Sequence, residues 1–157
     1  MKIGIIVHSQ TGNTNSVAQK LQAKLIKAGQ TVDIERLIPV DEKQTDANKV
    51  QLKTIPDISR YDALIFGCPV HGFSISPALS AFLSNITSLQ NKKVAIMVTH
   101  FFPFPKMGGN QAITQIKNIC ESKGAVVSGT GIVNWSSPRR DKMITEVVEN
   151  LSSLFEE

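Results

Sequence analysis

Five short apolar runs rich in β-branched residues alternate along the chain with segments whose apolar residues recur at helical spacing. We predict a strand for each run, at residues 2–8, 31–36, 63–68, 94–99 and 126–133. Because parallel strands are joined by right-handed helical crossovers, this order predicts an α/β fold with helices on both faces of a parallel sheet. Such sheets bind ligands beyond the carboxyl ends of their strands. The loops after the first, third and fourth strands are therefore where chemistry is expected.

Local signals indicate where the helices begin and end. Gly29 is placed to close the first helix, and Ser76 followed by Pro77 is typical of a helix start. Pro138 is predicted to open the terminal helix. The inner face of that helix is expected to carry Ile144, Val147, Val148, Leu151 and Leu154. Residues 39–58 are polar with weak periodicity, which predicts a short helix there or none.

Length and cysteine content indicate the broad class of protein. A chain of 157 residues matches one domain, which we expect to span residues 1–157. Cys68 and Cys120 lie too far apart for a CxxC motif, which favours a reduced, cytoplasmic protein. The apolar run after Lys2 is too short for a signal-peptide core or a membrane span, so no membrane association is expected.

The charge pattern argues against a nucleic-acid partner. The net charge of +4 is mild, and the basic residues are scattered. The adjacent basic pairs are Lys92–Lys93 and Arg139–Arg140. A solvated surface explains this pattern better than a nucleic-acid patch does.

The loop after the first strand has the composition of an anion site. Three hydroxyls and one glycine lie within the six residues Ser9, Gln10, Thr11, Gly12, Asn13 and Thr14, directly before a helix. The free amides and the dipole of a helix N-terminus favour a phosphate, and glycine lets the backbone wrap closely around it. The alternative is a capped turn in which Thr14 or Asn13 is the N-cap.

In this position, S-x-T-G-N-T resembles the phosphate-binding loop of flavodoxins and related FMN proteins. The loop lacks the Gly-Lys-Ser/Thr ending of a P-loop and the G-x-G-x-x-G pattern of dinucleotide-binding domains. The resemblance implies FMN as the cofactor, held by Ser9, Gln10, Thr11, Gly12, Asn13 and Thr14. It also implies a three-layer, doubly wound flavodoxin-like fold with a five-stranded parallel sheet in the order 2-1-3-4-5.

Two further loops extend the resemblance. The G-x-P at Gly67 to Pro69 and the Phe82–Leu83 pair are similar to those of flavodoxin-fold quinone reductases. This implies flavin contacts from Cys68, Pro69, Val70, His71, Gly72 and Phe73, although Cys68 also suits a small apolar position at a strand end. The loop after the fourth strand implies contacts from Thr99, His100, Phe101, Phe102 and Gly108. Its aromatic and proline residues fit either a lid or a rigid loop whose rings pack on the protein.

Other chemistries lack their essential residues. A cysteine phosphatase built on Cys68 would need an arginine near Ser74, and a receiver domain would need acidic residues after the first and third strands. His8, His71 and His100 have neither metal-ligand spacing nor carboxylates beside them in these loops. We therefore predict no catalytic side chain and no metal.

The function implied by the resemblance is electron transfer through non-covalently bound FMN. The partner would be a redox protein or a small-molecule electron acceptor, and a homodimer is one option for the assembly. Two alternatives stay open: an NAD(P)H-dependent FMN quinone reductase, and a flavin-free interaction module that keeps the fold.

Overall fold

The computed structural model describes residues 1–101 and 108–156. The strands and helices follow one another as β1 (Lys2–Val7), α1 (Asn13–Lys27), β2 (Thr31–Arg36), β3 (Ala63–Pro69), α2 (Pro77–Asn85), β4 (Lys93–His100), α3 (Gly109–Ser122), β5 (Val126–Asn134) and α4 (Arg140–Ser153). Two single turns of 3₁₀ helix, Ala47–Lys49 and Ile58–Arg60, interrupt the polar connection between β2 and β3.

The strands form one parallel sheet in the order β2-β1-β3-β4-β5, which confirms the predicted α/β flavodoxin-like topology. The register brings the carboxyl ends of the strands to one edge of the sheet. Val7 pairs with Arg36 on one side and with Gly67 on the other, and Pro69 pairs with Thr99. The loops after β1, β3 and β4 therefore begin side by side.

Each face of the sheet has its own apolar core. Strand residues on one face pack against α1 and α4, and those on the other face pack against α2 and α3. The first core includes Val17, Leu21, Ile144 and Leu151. The second core includes Leu79, Phe82, Ile113 and Ile116. Ile144 and Leu151 belong to the inner face expected for the terminal helix, and the two cores fix the helices that carry the loops at the carboxyl edge.

A buried tyrosine, Tyr61, lies at the amino edge of the sheet. The ring of Tyr61 lies on Gly4, where a Cβ atom would come within 2.6 Å of the ring. The hydroxyl of Tyr61 donates to Glu35 Oε2 at 2.6 Å and accepts from Arg60 Nη2 at 3.0 Å. Burial, together with Glu35, raises the pKa of Tyr61. Tyr61 is thus a structural residue at the edge opposite the loops.

The terminal helix begins two residues later than its proline suggested. Helix α4 starts at Arg140, and Pro138 lies in the preceding turn. Hydrogen bonds from the Ser137 amide to the Asn134 carbonyl and from the Arg140 amide to the Ser137 carbonyl hold residues 135–139 in turns. The prediction that Pro138 opens the helix was therefore wrong, because Asn134 and Ser137 stabilise a tighter path after β5.

Both cysteines are enclosed in the core on the α2 and α3 face. Cys68 and Cys120 have no exposed surface and remain free thiols. Burial raises the pKa of Cys68 to about 11 and that of Cys120 to about 12. Such thiols are inert as nucleophiles near neutral pH.

Across residues 1–101 and 108–156, no helix combines the length and the apolar character that a bilayer crossing requires.

Candidate functional site

The three predicted loops meet around one cavity of about 130 Å³ at the carboxyl edge of the sheet. Within the described part of the chain, its lining residues are Ser9, Gln10, Thr11, Asn13, Thr14, Pro69, Val70, Thr99, His100 and Phe101. Each of them is among the residues predicted from the sequence. The parallel register explains the meeting, because it places the ends of β1, β3 and β4 together.

The first loop presents backbone amides to this cavity. Gly12 precedes α1 as its N-cap in the left-handed conformation with φ 93°, and a glycine has no side chain to accept from the first helical amides. Ser9 Oγ accepts from the Asn15 amide at 3.2 Å, and the Gly12 carbonyl accepts from the Ser16 amide. No described residue accepts from the amides of Gly12, Asn13 or Thr14. The N-cap is therefore Gly12 rather than Thr14 or Asn13, and the free amides at this helix N-terminus are suited to an anion.

A buried hydroxyl pair connects the first loop to the end of β4. Thr14 Oγ1 and Thr99 Oγ1 lie 2.8 Å apart, and both side chains are buried. On the other side of the loop, Arg36 Nη2 donates to the Ser9 carbonyl at 3.0 Å. The loop is thus held from the ends of β2 and β4, which prepares its amides for a ligand.

The second loop is a tight turn that contacts the start of α3. The amides and carbonyls of His71 and Ser74 exchange hydrogen bonds of 2.8 and 3.1 Å. Gly72 and Phe73 within the turn have φ values of 54° and 67°. Gly108 has φ 114°, and a Cβ atom there would lie 2.6 Å from Val70 Cγ1 and 2.8 Å from Phe73 Cα. Glycine at 108 is therefore required for the third loop to approach the second.

The remaining predicted site residues lie beside the cavity or outside the described chain. Gly12 shapes the first loop, and the turn with His71, Gly72 and Phe73 lies next to Val70. The Cys68 side chain packs into the core, so only its backbone faces the sheet edge. Phe102 lies outside the described residues. Phe101 and Phe73 keep 60% and 48% of their surfaces exposed, which leaves both rings accessible to a planar ligand.

Sequence reasoning missed the residues that brace the loops from outside. Arg36 is the last residue of β2, and Glu42 lies in the polar connection that follows. The signal for Arg36 was present, since the end of β2 meets the end of β1 in a parallel sheet. Glu42 carried no such signal, because its position depends on the irregular path of residues 39–58.

Glu42 belongs to a buried network centred on His8. His8 Nδ1 lies 3.0 Å from Ser76 Oγ, and His8 Nε2 lies 3.1 Å from Glu42 Oε2. A neutral imidazole satisfies both contacts when Ser76 donates to Nδ1 and Nε2–H donates to Glu42. Burial lowers the pKa of His8 below its usual range, and the opposing effect of Glu42 is smaller. One imidazole thereby joins the first loop, the start of α2 and the connection after β2.

The lowered pKa of His8 makes stability depend on pH. The unfolded chain takes up a proton near pH 6.5, whereas the folded chain does so only at lower pH. The contribution of this group is therefore fully present above about pH 6.5 and lost as the pH falls through the folded pKa. We expect wild-type unfolding free energy to fall between about pH 7.5 and about pH 5.5, and to fall less in His8→Asn.

The measurement is urea unfolding at both pH values, with His71→Asn as the matched control. His71 lines the same small cavity as His8 and Glu42, so its replacement removes a neighbouring imidazole and leaves the network. The charge of His71 lowers the pKa of His8 less than burial does, so the control should keep most of the wild-type pH dependence. Equal pH dependence in wild type and His8→Asn would contradict the assignment.

The three histidines do not form a metal centre. His8 and His71 line one small cavity, and His100 lines the larger one. Throughout residues 1–101 and 108–156, no three His, Cys, Asp or Glu side chains lie close enough to hold a metal ion.

Comparison with known proteins identifies a family for this chain. Residues 1–138 match the family model described as NADPH-dependent FMN reductase. The chain is 27% identical to the flavodoxin of Megasphaera elsdenii over 135 residues, which cover 84% of this chain and 85% of that protein. It is also 27% identical to an NAD(P)H dehydrogenase (quinone) of Cupriavidus metallidurans over 95 residues, or 56% of this chain and 48% of that protein.

Solved structures agree on the fold. The structure of oxidised flavodoxin 2 from Bacillus cereus superposes with a TM-score of 0.68 at 20% identity, over 99% of this chain and 100% of that chain. The family match spans all three loops that line the cavity. The chain therefore belongs to the NADPH-dependent FMN reductase family, and it is a flavodoxin-like redox protein with FMN as its cofactor.

Proposed function

We propose that the chain holds FMN in the cavity at the carboxyl edge and passes electrons to a redox partner protein or a small-molecule acceptor. The observation that carries this proposal is the set of amides at Gly12, Asn13 and Thr14 that lack a protein acceptor among the described residues. A terminal phosphate supplies the acceptors that these donors need. FMN has such a phosphate at one end and a planar ring at the other.

Different residues around the cavity would bind the two ends of FMN. The amides of the first loop and the Thr11 hydroxyl would hold the phosphate. Val70, Phe73 and Phe101 would contact the ring and exclude water from it, since aromatic and aliphatic surfaces favour a planar ligand. FMN, when bound, supplies one-electron and two-electron chemistry. The protein contributes binding, orientation and the surroundings of the ring, and no side chain acts as a covalent catalyst.

A second candidate function is the reduction of an acceptor by NADPH through FMN. The family match to NADPH-dependent FMN reductases and the similarity to a quinone dehydrogenase favour it. Steady-state oxidation of NADPH with a quinone acceptor separates this candidate from an electron carrier, because a carrier would need a protein reductase.

The same features support two proposals, one on the domain organisation and one on the cellular compartment. We propose that residues 1–157 act as one domain, since a single sheet carries the apolar cores on both of its faces. The two free, buried thiols support a reducing compartment, and we propose the cytoplasm.

The test is a titration of the flavin-free protein with FMN, with riboflavin as the ligand that lacks the phosphate. Each hydrogen bond to a charged group contributes about 1.5 kcal/mol or more, so two amide contacts predict about 100-fold weaker riboflavin binding. Quenching of flavin fluorescence measures both dissociation constants. Equal affinities would contradict a phosphate site in the first loop, and binding of neither ligand would leave the flavin-free interaction module.

A further inference from the structure

The turn after β5 and the start of α4 carry a cluster of positive charge beside the flavin cavity. Residues 135–142, which we call the cationic turn, contain Arg139, Arg140 and Lys142. Their only carboxylate is that of Asp141, which is 93% exposed and lies 3.9 Å from Arg140 Nε. Arg139 and Lys142 are exposed and form no ion pair within the described part of the chain. The cationic turn therefore keeps a net positive charge.

Two hydrogen bonds attach the cationic turn to the wall of the flavin cavity. The Trp135 amide donates to the His100 carbonyl at 2.7 Å, and Ser136 Oγ donates to the Phe101 carbonyl at 2.6 Å. His100 and Phe101 line the flavin cavity themselves, and the Phe101 ring is largely exposed. A protein that approaches the flavin cavity from this side therefore meets the cationic turn and the ring of Phe101 together.

The helices add to the positive potential at this edge of the sheet. All four helices begin at the carboxyl edge, because each follows a strand of the parallel sheet. The positive end of each helix dipole therefore lies at this edge. The first turns of α1, α2 and α3 contain no acidic residue, and that of α4 contains only Asp141. Carboxylates that would balance the dipoles of the first three helices are thus missing from these turns.

The charge is distributed unevenly around the flavin cavity. The loops after β1 and β3 lead into α1 and α2, and residues 9–16 and 69–80 contain no Lys, Arg, Asp or Glu. The connection after β2 carries Asp41, Glu42 and Lys43, at the opposite side of the sheet from β5. The positive charge at this edge is therefore concentrated on the β5 side, where it attracts the carboxylates of a partner.

The aromatic residues and the arginines give the cationic turn the composition of a protein interface. The guanidinium of Arg140 lies 5.1 Å from the centre of the Trp135 ring, and Arg140 Nη1 donates to the Trp135 carbonyl at 3.2 Å. These contacts hold the guanidinium in place before a partner arrives, which lowers the entropic cost of binding. Aromatic residues and arginine are enriched at protein interfaces and at their hot spots.

The other adjacent basic pair shows how cations with a structural role differ. Lys92 Nζ donates to the Tyr61 carbonyl, and Lys93 Nζ donates to the Leu154 carbonyl. Both ammonium groups are thereby engaged by the protein itself. The guanidinium of Arg139 has no such acceptor within the described part of the chain, so its donors are available to a partner.

We propose that the cationic turn is the docking surface for an acidic electron-transfer protein, whose carboxylates contact Arg139, Arg140 and Lys142. The inference rests on the proposed function, in which the chain passes electrons to a redox partner. Docking at this surface places the partner beside Phe101, at the edge of the flavin cavity. A few charge contacts suffice, since electron-transfer interfaces are small. A second copy of this chain is a poorer occupant, because two proteins of net charge +4 repel each other.

The test compares two forms of one electron acceptor that differ in charge. Native cytochrome c is basic, and succinylation of its lysines makes it acidic. The FMN-loaded protein is reduced with dithionite and mixed with each ferric cytochrome by stopped flow. Each haem iron takes up one electron and becomes ferrous, and the absorbance change gives the second-order rate constant. We expect the succinylated form to react at least about 10-fold faster at low ionic strength and to slow as salt is added, whereas the native form speeds up.

Three charge reversals assign the effect to the cationic turn. Arg139→Glu and Lys142→Glu should each slow the reaction with the succinylated form about fivefold and speed up the reaction with the native form. Lys27→Glu is the matched control, because it makes the same change in net charge at an exposed position at the end of α1, on the amino edge. It should change either rate constant less than about twofold. A flavin titration of each variant excludes loss of the cofactor as the cause.

Complex formation is measured separately, in the flavin-free protein. The haem of a docked cytochrome quenches the emission of Trp135, the only tryptophan of the chain. We expect saturable quenching by the succinylated form and about fivefold weaker binding in Arg139→Glu. The native form should give no saturable quenching. This measurement requires neither FMN nor electron transfer.

The outcomes separate the docking surface from the function on which it rests. Saturable quenching that depends on Arg139, in a protein that does not bind FMN, would support the surface and contradict the proposed function. Electron transfer at rates that neither salt nor Arg139→Glu changes would support the function and overturn the surface. Equal losses in Arg139→Glu and Lys27→Glu would also overturn it, since they would reflect net charge alone. Sedimentation showing a wild-type dimer that Arg139→Glu dissociates would assign the surface to a second copy instead.

Discussion

Replacing Thr11 with glutamate is expected to weaken FMN binding at least about 100-fold while riboflavin binding changes less than about twofold. Thr11 is exposed and lines the cavity beside the amides of the first loop. Two like charges about 4 Å apart repel by ~4 kcal/mol at an effective dielectric constant near 20. A loss of ~3 kcal/mol of binding free energy already raises Kd about 100-fold, so this repulsion is sufficient for the expected effect. Riboflavin lacks the phosphate and avoids this repulsion.

The same substitution is expected to stabilise the flavin-free protein. The first turn of α1 contains no acidic residue, and a carboxylate near a helix N-terminus contributes about 0.3–1 kcal/mol. Urea unfolding of the flavin-free variant should therefore give a higher midpoint than wild type, which would exclude misfolding as the cause of weak FMN binding. Thr145→Glu, on the exposed side of α4, is the matched control for added charge. Parallel losses of FMN and riboflavin in Thr11→Glu would contradict a phosphate at this loop.

Replacing Gly108 with valine is expected to weaken FMN and riboflavin together, each about 100-fold. A β-branched residue at φ 114° costs about 1–3 kcal/mol in backbone strain. Its Cβ also meets Val70 and the backbone of Phe73, and such overpacking costs about 1–3 kcal/mol. The free protein relieves this cost by moving the second and third loops apart, and flavin binding must bring them together again.

Gly124→Val is the control that separates loop geometry from general destabilisation. Gly124 has φ 95°, and its side chain would collide with Gln90, so the local damage is similar. It lies between α3 and β5, at the amino edge of the sheet, away from the flavin cavity. We expect Gly124→Val to lower the thermal midpoint and to leave both flavin affinities near those of wild type. Unchanged flavin affinities in Gly108→Val would show that the approach of the two loops does not matter for the ring.

The fold was predictable because local and long-range signals in the chain agree. The β-branched runs, Gly29 after the first helix and the Ser76–Pro77 start of α2 each correspond to an observed element boundary. The start of α4 was not predictable from Pro138, because the Asn134 side chain accepts from the Ser136 amide and hydroxyl and diverts the chain. The preference of proline for the first position of a helix takes no account of tertiary structure, whereas hydrogen bonds of its own side chains hold this turn.

The part of the site that lies at the ends of the strands was predictable. The described residues of the cavity lining come from the three loops that a parallel sheet brings together. Arg36, which donates to the Ser9 carbonyl, could have been found from the pairing of β1 with β2. The contact of Glu42 with His8 was not predictable, because it depends on the irregular path of residues 39–58. Neither the left-handed turn at Phe73 nor its contact with Gly108 could be derived from composition, since both depend on how two loops fit together.

Both cysteines are enclosed in one half of the protein, so their rate of reaction with a thiol reagent reports how often that half opens. A water-soluble thiol reagent can reach Cys68 or Cys120 only while the α2 and α3 layer has lifted from the sheet. The half that carries α1 and α4 contributes no thiol and stays silent in such an experiment. The rate of covalent labelling thus measures how often the α2 and α3 layer opens, and no cysteine has to be introduced for the experiment.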